Sequence, residues 1–99
     1  MAVWHIKILQ LFDNPTKWFE DNNEQEPSKG FSTGLKHVLT IAYPKLTNEE
    51  EFYNIIWKDL ERAGMHNTGS LQTRMSANGL MQSRTTVFGK NFLKFISKN

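Results

Sequence analysis

The stretch Asp59-Leu60-Glu61-Arg62-Ala63-Gly64-Met65, followed after a polar linker by Ser83-Arg84-Thr85-Thr86-Val87-Phe88-Gly89-Lys90-Asn91-Phe92-Leu93, decides how this chain is read. The first part closes an amphipathic helix on a glycine, the residue that most readily takes the positive φ of a C-terminal cap. The second runs from strand-like residues through a capping threonine into a last helix. The order is helix, turn, strand, helix. It speaks to architecture, and no catalytic signature accompanies it.

Working toward the N-terminus, the helix that ends at Gly64 carries Phe52, Ile56, Leu60 and Ala63 on one stripe with Ile55 beside it, and acids on its other side. Thr47-Asn48-Glu49-Glu50 fits a capping box, in which a hydroxyl and a carboxylate three residues apart satisfy each other's orphan amides. Before it, Phe31, Leu35, Val38, Leu39 and Ala42 recur at helical spacing until Pro44, which predicts a helix over roughly 32–43, weakened slightly by Gly34. Residues 21–30 are polar, acidic and closed by Pro27 and Gly30, an expected exposed loop. Trp4, Ile8, Leu11 and Phe12 predict a first helix, and Asn14 with Pro15 predicts the cap and first position of one further turn over 16–20.

Working toward the C-terminus, Met65-His66-Asn67 is expected to open a small sheet and residues 80–85 to form its second strand. Residues 70–78 admit two readings. Asn78-Gly79 suits a two-residue hairpin turn, whereas Leu71, Gln72, Arg74, Met75 and Ala77 favour a short helical insert, the preferred of the two. Thr86 or Thr85 caps the last helix, whose Phe88, Phe92, Leu93, Phe95 and Ile96 are expected to return to the core.

Ninety-nine residues suffice for one domain with one modest core, and seven Phe, three Trp and two Tyr supply the apolar area for it. There is no cysteine, which removes disulfides and thiolate chemistry and fits a cytoplasmic setting. No apolar run approaches the roughly 18 residues a membrane helix needs. The net charge of +2 conceals a split: residues 1–65 hold seven Lys/Arg and all ten Asp/Glu, a balance of −3, and residues 66–99 hold five Lys/Arg and no acid, a balance of +5. An electrically polar molecule follows, which bears on partners and not on fold.

Leu60 to Met65, then Arg84-Thr85-Thr86 and Gly89-Lys90-Asn91-Phe92-Leu93-Lys94-Phe95-Ile96, resembles winged-helix domains, in which a recognition-type helix ends in a Leu-x-x-x-Gly-aliphatic turn and the second strand enters a Thr-x-x-Gly helix start. The resemblance covers roughly residues 31–96, with the Trp4–Phe12 segment as first helix. The Ser-Leu-x-x-x-Met segment with Arg-Thr-Thr-x-x-Gly-x-x-Phe-Leu-x-Phe-Ile is similar, more narrowly, to the C-terminal winged-helix-like end of bacterial proteins of unassigned or abortive-infection alpha type, which implies a phage-defence setting. The implied fold is mainly α with a small β-ribbon (α+β): a winged-helix-like domain over 1–99 with four to five helices, two short strands and a wing region at 66–86.

In a DNA-reading winged helix the third helix enters the major groove N-terminus first. Here that end is Asn48, Glu49, Glu50 and Glu51, and across 48–64 five acids face Lys58 and Arg62. Carboxylates against a polyanion forgo the counterion release that drives such binding, so the acids suit the helix dipole and solvent better than DNA. Arg74, Arg84, Lys90 and Lys94 form the alternative nucleic-acid surface, whose competing explanation is ordinary solvated charge. Glu49 and Glu50 with Tyr53 and Trp57, four residues apart, form a candidate protein-contact face; the two aromatics equally suit packing against the first helix or the 21–29 loop. His5, His37 and His66 lie about thirty residues apart without ligand or general-base spacing, and no nucleophile elbow or phosphate loop occurs. The expectation is a non-enzymatic binding module with no catalytic residue, metal or cofactor, a protein partner ahead of DNA, no membrane partner, and homodimer or monomer left open.

Overall fold

The computed structural model describes residues 3–23, 33–72, 74–75 and 82–97. Five α-helices appear among them: α1 Val3–Asp13, α2 Pro15–Asp21, α3 Leu35–Ala42, α4 Glu50–Arg62 and α5 Val87–Ser97, with a 3-10 turn at Pro44–Leu46. Together they make a compact helical globule.

Local chemistry explains several boundaries. The Asn14 side chain accepts the Lys17 amide and Pro15 occupies the first position of α2, as expected, and the helix runs for seven residues rather than one turn. At the end of α4 Gly64 takes φ +80, its amide bonds the Glu61 carbonyl at 3.0 Å, and the Met65 amide bonds the Leu60 carbonyl at 2.9 Å. This is a Schellman turn, with buried Leu60 and Met65 supplying the apolar contact that usually accompanies it. Thr86 caps α5: its hydroxyl accepts the Gly89 amide and donates to the Gly64 carbonyl, while its own amide donates to the Met65 carbonyl. A Cβ on Gly89 would collide with the Met65 carbonyl oxygen, so α5 sits on the turn at a distance only glycine permits.

Other expectations are corrected. The Thr47–Glu50 capping box does not form. The Thr47 hydroxyl donates back to the Pro44 carbonyl at 2.6 Å within the 3-10 turn, Thr47 is itself αR, and α4 begins after Glu49 with no side-chain cap. Helix α3 starts at Leu35, not 32, because Thr33–Gly34 is extended and pairs antiparallel with Arg74–Met75. Gly34 thus serves a close backbone approach, its Cβ position being 3.0 Å from the Leu71 carbonyl oxygen. The same pairing replaces both the helical insert and the hairpin read for 70–78 at positions 74 and 75; Asn78-Gly79 lies outside the described residues. The two-stranded ribbon of 65–67 and 80–85 reduces to one isolated antiparallel bridge, His66 to Thr85, with 80–81 outside the described residues. Of the loop at 21–30, only 21–23 is described.

The core is one cluster. Helix α1 contributes Ile8, Leu9, Leu11 and Phe12, α2 Phe19, α3 Leu35, Val38 and Leu39, and α4 Tyr53, Ile56, Trp57 and Leu60, with Leu46, Met65 and Leu71 filling the edges. Each such side chain contributes roughly 1.5–3 kcal/mol by leaving water. A rim of rings closes the end near α2, where Trp4 and Trp18 stand at 5.2 and 5.4 Å from the Tyr43 ring. Phe88 and Phe95, expected in the core, face outward with Val87; only Phe92 and Leu93 of α5 pack against the cluster. Gly89 against Met65 turns the helix that way.

His66 is the one buried polar residue among those described. Its Nδ1 accepts the Thr68 amide at 3.2 Å, so Nε2 carries the proton and donates to the Trp57 carbonyl at 2.8 Å. The ring stacks on Trp57 at 3.6 Å between centroids. Burial pushes the imidazole pKa down, against smaller upward effects of the Trp57 carbonyl and Glu61. Protonation would also place a proton where the Thr68 amide now donates.

Two predictions follow from this packing. Gly89→Ala, ordinarily favourable in a helix by about 1 kcal/mol, should instead destabilise by about 1–3 kcal/mol through overpacking, read by urea unfolding. The native state binds fewer protons at His66 than the unfolded chain does, so the His66 contribution is fully present above about pH 6.5. It is lost as pH falls from there through the lowered native pKa. Unfolding free energy should therefore drop between pH 7.5 and pH 5.5, and His66→Gln, though less stable at pH 7.5, should flatten that slope; an unchanged slope would assign it to other groups.

Candidate functional site

Helix α4 holds the candidate protein-contact residues, and its rotation decides what they can do. Tyr53, Ile56, Trp57 and Leu60 face inward, at the i, i+3, i+4, i+7 spacing of one helical face. Phe52, Ile55 and Ala63, assigned to the core stripe by the sequence, are exposed. The two stripes share Ile56 and Leu60, so the apolar pattern alone cannot choose between them. Trp57 decides. Its ring lies 4.9 Å from Phe12 and stacks on His66, and its indole N–H donates to the Gly69 carbonyl.

Tyr53 and Trp57 are therefore interior residues and cannot anchor a contact on the folded surface, a correction to the candidate face. Burial, and secondarily Glu50, push the Tyr53 phenol above its usual value. Glu49 and Glu50 do stand exposed at the start of α4, where carboxylates complement the helix dipole. The apolar side chains that α4 turns outward are instead Phe52 and Ile55. The signal that could have found them was the polar 66–69 segment, which carries the partners that draw Trp57 inward.

Beside Ile55 runs an open groove of about 490 Å³ between α4 and the 69–72 segment. Glu51, Ile55, Lys58 and Glu61 line its helix side, and Gly69, Ser70 and Gln72 the other. Gln72 ties the two walls: its side-chain nitrogen donates to Asn54 at 3.2 Å and, more distantly, to Glu50 at 3.4 Å. The side chain of Trp57, its one polar atom bonded to Gly69, presents carbon to the floor. Glu49, Glu50, Glu51 and Glu61 make no ion pair with another described residue. The groove is thus apolar in its floor and charged along its helix side, where Glu51 and Glu61 flank Lys58.

The candidate nucleic-acid residues do not form an open basic stripe. The Arg84 amide donates to the Phe12 carbonyl at 2.8 Å, its side chain is half-buried, and burial lowers its pKa. Lys90 reaches Asp13 at 3.0 Å and the Ser83 hydroxyl at 2.7 Å, so its charge is met within the molecule. Lys94 is exposed on α5. Arg74 sits by its backbone in the two-residue ladder, and its side chain lies outside what is described.

Among the described residues, no three His, Cys, Asp or Glu side chains gather as a metal-holding group. His5 is spent on Asp59 at 3.0 Å, and His66 on the core. No described helix is long and apolar enough to cross a membrane. No family model matches the chain, and searches of curated proteins and of solved structures give no match.

The assignment of inner and outer residues is testable by stability. Trp57→Phe keeps a ring but leaves the half-buried Gly69 carbonyl without its donor and should cost about 1–3 kcal/mol. Ile55→Ser, on the outer side, should stay within about 0.5 kcal/mol of wild type. Equal losses in denaturant titrations would contradict the rotation of α4.

Proposed function

We propose that this chain is a non-enzymatic, winged-helix-like module that contacts a protein through the outer side of α4. The observation that carries this reading is the exposure of Phe52 and Ile55 beside an apolar-floored groove and a run of carboxylates with no described ionic partner. Exposed apolar side chains ringed by charge are the composition of an interface core and rim. Supporting the winged-helix-like part are α3, the tight Pro44–Leu46 turn and α4 as a helix-turn-helix pair, with the Thr33–Gly34 and Arg74–Met75 ladder alongside. The resemblance of the C-terminal segment to abortive-infection alpha-type proteins makes phage defence the setting we favour.

The second reading, a DNA-binding winged helix using the basic C-terminal third, is favoured by the +5 balance of residues 66–99. It is disfavoured by Glu49, Glu50 and Glu51 at the leading end of α4 and by the internal pairing of Lys90 with Asp13.

A photo-crosslinking residue at position 55, compared with one at exposed position 17 on α2, should give a discrete protein adduct in extract of the source organism. Glu50→Lys with Glu51→Lys should suppress it. Adducts that are equal at both positions, or unaffected by the charge reversal, would contradict the face. Fluorescence anisotropy with random-sequence duplex DNA should show no micromolar binding at low salt; micromolar binding that collapses as salt rises would favour the DNA reading, with Arg84 and Lys90 the residues to substitute.

A further inference from the structure

We propose that the cleft between α1, α2 and the end of α3 is a binding site for a neutral sugar, one or two pyranose rings in size. It shares no lining residue with the α4 groove, so the proposal stands apart from the reading of that helix.

The cleft has a volume of about 460 Å³. That lies within the roughly 300–1,000 Å³ usual for small-molecule sites, and well above the ~150 Å³ that holds one benzene ring. Its aromatic wall follows from the sharp junction of the first two helices. Asn14 caps α2 and Pro15 opens it, so that Trp18 comes against Tyr43, the residue that ends α3. The two rings, both half-buried, lie 5.4 Å apart and are inclined at 62°. Walls at that angle make a corner and not a parallel slot. A corner suits a puckered ring better than a flat base. A pyranose offers such a wall the C–H bonds of one face and keeps its hydroxyls round the edge, and Trp and Tyr supply rigid contact area at low conformational cost.

The charges along the cleft cancel. Lys7 and Lys17 are matched there by Asp13 and Asp21. Each is also engaged within the molecule: Lys7 lies 4.8 Å over the Trp4 ring, Lys17 stands 3.8 Å from Asp21, and Asp13 accepts from Thr85 and Lys90. An ionic ligand therefore finds no uncompensated counter-charge.

The polar groups left open are neutral amides. Gln10, exposed on α1, makes no hydrogen bond with a described residue. Asn14 uses its oxygen on the Lys17 amide, which leaves its NH2 group; Asn22 uses its NH2 group on the Trp18 carbonyl, which leaves its oxygen. Those two bonds fix which end of each amide faces the cleft, and they hold both side chains in place before a ligand arrives. A hydroxyl both donates and accepts, so donors and acceptors set round an aromatic corner match a sugar's edge.

Nitrogen–proton correlation spectra test this directly, since the NH2 groups of Gln10, Asn14 and Asn22 and the indole N–H of Trp18 are all observable. The Trp57 indole, which lines the α4 groove, is the internal control. The probes are methyl β-glucopyranoside, methyl β-galactopyranoside, methyl α-mannopyranoside and methyl N-acetyl-β-glucosaminide. At least one should shift the four reporters saturably, with Kd on the order of 1 mM, and leave Trp57 unmoved. Trp18→Leu removes the aromatic wall and should weaken binding about fivefold or more. Gln10→Ala with Asn14→Ser should do the same while unfolding at the wild-type urea midpoint, because serine preserves the cap and Gln10 holds no described residue. Absence of a saturable shift with all four glycosides overturns the proposal, as does unchanged affinity in the Gln10→Ala, Asn14→Ser variant. A stronger response to adenosine monophosphate that fades as salt rises overturns it in favour of a nucleotide.

Discussion

The turn at Gly64-Met65-His66 is the constraint on which the rest of the structure depends. Within three residues it ends α4 with a positive φ, offers two carbonyls to Thr86, and sends His66 under Trp57. Gly89 then lies directly on the Met65 carbonyl, so the start of α5 has no room to shift. A second set of bonds holds the same segment to the end of α1, where Asp13 receives Thr85 and Lys90 and the Phe12 carbonyl receives the Arg84 amide. Helix α5 is positioned by polar bonds at its N-terminal end more than by buried apolar area. That is why it can leave Val87, Phe88 and Phe95 outside.

The turn also settles the rotation of α4. With His66 fixed beneath it, Trp57 gains a stacked ring, and the Gly69 carbonyl accepts a hydrogen bond from its indole N–H; turned outward, it would lose both. A buried Phe52 could replace the apolar area but not the hydrogen bond, and the Gly69 carbonyl would lose its donor, a loss on the order of 1–3 kcal/mol. Phe52 and Ile55 are outside as the consequence of that balance. The surface with the strongest claim to function is what remains once the interior has been chosen.

What could be read in the sequence follows the range of the interactions concerned. Asn14 with Pro15, Gly64 and Thr86 act within three or four residues of themselves, and their caps stand where the sequence places them. Thr47 was misassigned because a competing acceptor, the Pro44 carbonyl, lies at the same range on the other side. Interactions across the chain were not legible. Thr33–Gly34 finds Arg74–Met75 some forty residues away, and nothing local distinguishes that pairing from a hairpin or a helical insert. The inward face of α4 depends on residues 66–69, beyond the window in which helical periodicity is read. The acidic character of the α4 surface was legible, because exposed charge needs no partner to be recognised; its apolar component was assigned to Tyr53 and Trp57 instead of Phe52 and Ile55.

The charge split of the chain survives folding, but not as two equal patches. Lys90 is met by Asp13, and Arg84 is drawn half inside, so the basic side is weaker than composition implies. Among the described residues, the carboxylates of Glu49, Glu50, Glu51 and Glu61 have no such internal counterparts. The electrostatic interest of the molecule lies with α4, and everything attributed to that helix depends on which residues it turns outward. Hydroxyl-radical footprinting of α4 measures this directly: Phe52 should label readily while Tyr53 and Trp57, intrinsically at least as reactive, stay protected until the protein unfolds. Ready labelling of Tyr53 and Trp57 in the native protein, with Phe52 protected, would contradict the arrangement on which the contact face is built.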